Sequence, residues 1–132
     1  MKTFKSIFAA LLIMVTSLFA FQASANDDKL VEKARTAVSS ASPDDWYTLA
    51  SWAEKCIKKG VNLKEAAEWL DKSISIKETA YNLSVKGDYY VANKLPEKAL
   101  ETYIRSIELG RTDEEFDMQA VQNKITKLIS KK

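Results

Sequence analysis

Histidine is missing from this 132-residue chain, and cysteine occurs once, proline twice and glycine three times. Without histidine the commonest general acid-base group and neutral-pH metal ligand is gone, and with it most nucleophilic triads and zinc sites. A lone Cys56 forbids an intramolecular disulfide, so packing must hold the fold. Its neighbours put Cys56 on an apolar helical stripe, where free cysteine behaves as a small hydrophobe. The glycines are scattered and form no phosphate-cradling loop. No catalytic, cofactor-binding or metal-binding residues are expected, and the chain does not read as an enzyme.

Charge of one sign is also lacking in the body of the chain. Two of the twenty basic residues, Lys2 and Lys5, lie in an N-terminal leader, which leaves eighteen of each sign. Acids and bases alternate through every segment, whereas a nucleic-acid binder clusters basic charge to neutralise phosphates. No nucleic-acid partner is expected.

Residues 1–25 read MKTFKSIFAALLIMVTSLFAFQASA: a lysine-bearing start, an apolar stretch from Ile7 to Phe21, then Ala23-Ser24-Ala25. The small-x-small exit fits signal-peptidase cleavage after Ala25, and the apolar stretch is short for a span that needs roughly 20 residues. The sequence predicts a signal peptide over 1–25 and a mature domain over 26–132, exported to the bacterial periplasm or secreted, with no stable membrane insertion after cleavage.

The mature chain reads as all-α. Leu30, Val31, Ala34, Ala37 and Val38 mark a helix over about 28–40. Ser42-Pro43-Asp44-Asp45 reads as a capping serine, a proline at the first helical position and a first turn of acids, opening a second helix that Gly60 closes. Asn62 with Glu65 has capping-box spacing and opens the third, and a fourth runs from about Glu78 to Asn93. Pro96 starts a fifth that Gly110 stops, and Thr112 with Glu115 opens a last helix ending in Lys131 and Lys132. The acid groups Asp44-Asp45 and Asp113-Glu114-Glu115 read as complements to helix dipoles rather than as calcium ligands or a carboxylate dyad.

Self-comparison aligns LKEAAEWLDKSISI from Leu63 with PEKALETYIRSIEL from Pro96, matching Ala66 to Ala99, Ser73 to Ser106 and Ile74 to Ile107. Leu49, Ala53 and Cys56 precede Leu83, Gly87 and Tyr90 by 34 residues. On these residues the segment 46–111 resembles the tetratricopeptide repeat family, whose units recur at about that period. Lys86, where the family favours an apolar residue, and Arg111, where it favours proline, depart from its pattern. The resemblance implies an α-solenoid of two αα-hairpins with flanking N- and C-terminal capping helices.

In that family the first helices of successive units line a groove, which implies a partner surface here at Tyr47, Glu54, Tyr81 and Asp88. Two acids one repeat apart would favour a basic or amine-bearing guest. The expected function is an exported, non-enzymatic protein or peptide interaction module of the cell envelope, monomeric when isolated. The alternative is an accessory structural subunit docked permanently in a larger envelope complex.

Overall fold

The computed structural model describes residues 25–131. The leader expected over 1–25 lies, except for Ala25, outside the described residues. Those described form six α-helices and no strands: α1 (helical over 25–40), α2 (Trp46–Lys59), α3 (Leu63–Ile76), α4 (Ala80–Ala92), α5 (Pro96–Gly110) and α6 (Met118–Ile129). None is long and apolar enough to cross a membrane.

Helix α2 packs on α3 and α4 on α5, while α4 also meets α2 and α3, and α6 lies against α5. One core joins Ala34 of α1, Ala50, Ala53, Cys56 and Ile57 of α2, Ala66 and Leu70 of α3, and Val85 of α4. A second core gathers Ala99 and Tyr103 of α5 and Val121 of α6. Burial of a side chain of the size of Leu70 contributes roughly 1.5–3 kcal/mol, and the alanines let the helices approach closely enough to seal it. Among the aromatic side chains described, only Tyr103 is fully buried; Trp52, Trp69, Tyr81 and Tyr89 pack half-buried on the rim of the first core.

A serine ties each hairpin together. Ser73 Oγ donates to the carbonyl of Trp46 at 2.6 Å, and Ser106 Oγ donates to the carbonyl of Ala80 at 2.6 Å. Both serines are fully buried, and each reaches the first residue of the preceding helix.

Several helix ends differ from the sequence reading. Ser42 does not cap α2 and Pro43 is not helical; the amide of Asp45 donates to the Ser42 carbonyl at 3.0 Å, so Pro43 occupies a tight turn. Asp45 is the cap, accepting from the Thr48 amide at 2.9 Å, and those backbone bonds hold its carboxyl below the usual range. Gly60 ends α2 as expected, in a left-handed conformation (φ 69°) that lets the Val61 amide close on the Cys56 carbonyl at 3.0 Å.

Asn62 is also left-handed and makes no side-chain cap bond; its partner of the expected capping box, Glu65, instead pairs with Arg35 of α1 at 2.6 Å. The complete capping box stands at α4, between Thr79 and Asn82. The last helix starts at Met118, capped by Asp117, and not at Thr112. Residues 111–117 fold as turns because Phe116 is drawn into the second core, against the bare Cα of Gly110. Gly110 therefore serves close packing: it is the final helical residue, buried, and has no left-handed φ.

Candidate functional site

The four residues singled out in the sequence fall along one face formed by α2 and α4. Tyr47, 57% exposed, stacks on Tyr81 with ring centroids 5.5 Å apart and planes tilted by 30°. Tyr81 donates its hydroxyl to Glu54 Oε2 at 2.7 Å, and Lys58, one turn along α2, donates to Glu54 Oε1 at 2.8 Å. Asp88, the counterpart of Glu54 on α4, accepts from the Tyr103 hydroxyl at 2.6 Å and from Lys124 Nζ of α6 at 2.8 Å. Lys124 also reaches Ser84 Oγ at 3.2 Å.

These contacts change the character of the face. Burial first, and then the hydrogen bond to a carboxylate, pushes Tyr81 and Tyr103 far above the ordinary tyrosine value, so both stay neutral donors. Burial drives the Glu54 carboxyl up, but the bonds from Lys58 and Tyr81 and the charges of Lys58 and Lys124 outweigh it and leave it lowered. Glu54 and Asp88 thus serve as acceptors for the Tyr81 and Tyr103 hydroxyls, each set against an ammonium group. They do not offer the bare negative potential expected from the sequence, which removes the argument for an amine-bearing guest.

Beyond Asp88 the face deepens into a cleft of about 780 Å³ between the C-terminal ends of α2, α4 and α6. Its floor is apolar, built from Ile57, Val91, Pro96 and Leu128, and Val91 is 42% exposed. Around the floor stand Lys58, Lys94, Lys124, Lys127 and Lys131, with Asp88 as the acid in the lining. Among the described residues Lys94, Lys127 and Lys131 take part in no ion pair.

Sequence reasoning missed these lysines. The signal was available on α6, where Lys124, Lys127, Leu128 and Lys131 recur at three- and four-residue spacing and so share a face. Their meeting with Lys58 and Lys94 depends on how α6 is seated, which no local pattern states.

Lys86, the departure at an apolar position, is accommodated at the α3–α4 contact. Its side chain is only 15% exposed, its ammonium pairs with Asp71, and it lies 5.4 and 5.5 Å from the ring centroids of Tyr89 and Tyr90. The long stem supplies apolar contact while the head stays paired. Among the described residues no group of three His, Cys, Asp or Glu side chains is placed to hold a metal ion.

No protein-family model, curated protein or solved structure matches this chain.

Proposed function

We propose that the chain is an exported, non-enzymatic interaction module: two tetratricopeptide-like hairpins, α2–α3 and α4–α5, flanked by α1 and α6, that bind a protein or peptide along the α2–α4–α6 face. The repeat reading is supported by recurrence in three dimensions as well as in sequence. Ser73 and Ser106, 33 residues apart, bind the carbonyls of Trp46 and Ala80, 34 residues apart. Ala53 and Gly87 are both buried, as are Ala66 and Ala99.

The observation that carries the binding function is the open cleft itself. It exposes apolar side chains beside lysines that take part in no ion pair among the described residues, and runs on toward the exposed Tyr47, stacked on the half-buried Tyr81. A concave, mostly apolar surface with a few charged groups is the form binding sites take.

A second reading, permanent docking as a subunit of an envelope complex, draws on the outer side of α5, where Ile104 and Leu109 are 45% and 44% exposed. Photo-crosslinking in the producing cell separates the two. With p-benzoylphenylalanine at Tyr47 or Val91, the module reading expects a discrete adduct; adducts from Ile104 and Leu109 alone favour the docked subunit. Absence of adducts at all four positions counts against both.

A further inference from the structure

We propose that the α2–α4–α6 cleft takes an acidic peptide segment, whose carboxylates meet the lysine rim while an interspersed apolar side chain beds on Ile57, Val91 and Leu128. This inference rests on the module reading above and gives its partner a chemistry. It reverses the sign of the ligand that Glu54 and Asp88 suggest in the sequence.

The charge balance of the lining decides that sign. Five lysines face the cleft, and the two nearest the acids are already matched, Lys58 by Glu54 and Lys124 by Asp88. Among the described residues Lys94, Lys127 and Lys131 are left over. The cleft lies at the C-terminal ends of three helices, whose dipoles each place up to about half a negative charge there. Those partial charges offset only part of three full ones, and they fall off within a turn, so the rim remains cationic.

The arrangement of the cations selects a peptide over a single-headed anion. Lys94 stands in the turn between α4 and α5, held at a left-handed φ of 58°, while Lys127 and Lys131 stand on and just beyond the last turn of α6. Ammonium groups with no ion-pair partner among the described residues, contributed to one apolar trough by the α4–α5 turn and by the end of α6, match several carboxylates spaced along a chain. A fatty acid, with one carboxylate, would leave most of them unused. The apolar floor excludes a purely electrostatic mode, because a fully charged peptide would leave Val91 and Leu128 uncovered. Lysine-rim attraction sets the encounter and specificity, and the floor retains the peptide.

Fluorescence anisotropy on the purified full-length exported protein tests this, with a short fluorescein-labelled peptide alternating glutamate and leucine as probe. The glutamate-leucine peptide is expected to bind, more weakly as salt rises, while its lysine-leucine and glutamate-serine counterparts do not bind. Lys127→Glu with Lys131→Glu, both exposed and away from either core, should weaken binding at least about tenfold, and Lys72→Glu on the outer side of α3 should leave it unchanged. Failure of the acidic peptide to bind, undiminished binding by the double variant, or preference for the basic peptide overturns the proposal. Binding of dodecanoate in place of the peptide overturns it too, and marks a lipid site. Crosslinked adducts at Val91 without acidic-peptide binding would sink the chemistry proposed here and leave the module reading standing; loss of both would sink the two together.

Discussion

The hydroxyl of Ser106 is bonded at 2.6 Å to the carbonyl of Ala80, and both residues are buried. Ser73 makes the same bond to Trp46 but also accepts from Asn82 Nδ2 at 3.1 Å, so it stands in a larger network. Ser106→Ala should cost about 0.5–1.5 kcal/mol, the net worth of one such bond. Ser73→Ala should cost more, because Asn82 Nδ2 then keeps only the Lys77 carbonyl at 2.8 Å. Urea unfolding of the two variants checks the order; equal losses would mean that Asn82 draws nothing from Ser73.

Gly87 faces the ring of Tyr103, and a Cβ there would clash with ring atoms Cδ1 and Cε1, with even Cζ only 2.9 Å away. Gly87→Ala should therefore destabilise by about 1–3 kcal/mol through overpacking, although alanine is the better helix former by about 1 kcal/mol. Ala99, with no exposed surface, should respond in the same direction when changed to leucine. Combining Gly87→Ala with Tyr103→Leu should cost less than the sum of the two single changes, since the smaller side chain vacates the space. Thermal unfolding of the four proteins gives the cycle.

The tyrosine–carboxylate pairs make stability pH-dependent at both ends. Glu54 is held below its ordinary value of 4.5, so its stabilisation is complete above that value and is lost as pH falls through the lowered one. Glu54→Gln should be less stable than the parent near neutrality, with the gap closing in acid. Tyr81 is raised above its ordinary value of 10, so its stabilisation is complete below pH 10 and is lost as pH climbs beyond it. Tyr81→Phe should flatten that alkaline loss. Absorbance titration should show Tyr81 and Tyr103 ionising well above the ordinary tyrosine value.

Lys86 is mostly buried but tied to a largely exposed Asp71, an arrangement in which desolvation opposes the ion pair. Lys86→Met keeps the stem that packs near Tyr89 and Tyr90 and removes the charge. It should change stability by no more than about 1 kcal/mol and in the stabilising direction. A clear fall in melting temperature would instead assign the ammonium a structural role.

Periodicity and terminators carried most of the helical content, since Gly60 ends α2, Pro96 opens α5 and the apolar stripes fall inside α2 to α5. The serine pair was visible as a sequence match because equivalent positions in two hairpins meet equivalent carbonyls. Misread ends share one cause: Ser42, Asn62 and Thr112 have the right local chemistry for caps, but nearby Asp45 and Asp117 cap instead, while Glu65 and Phe116 are claimed by partners elsewhere. That Tyr47, Glu54, Tyr81 and Asp88 share a face of α2 and α4 was legible; the partners of the two acids were not. Glu54 and Asp88 meet Tyr81 and Lys124 across 27 and 36 residues, distances at which spacing rules carry no information.

Cys56 has no exposed surface, and burial raises its thiol above the ordinary value. A thiol reagent reaches it only when the first hairpin parts, so the labelling rate counts those openings and gives that hairpin's local stability without denaturant. In oxidising surroundings two molecules caught open at once would join through this residue. A brief lapse in packing would then be recorded as a covalent dimer, and the fraction of such dimers in an aged sample would serve as a clock for how often the first hairpin comes apart.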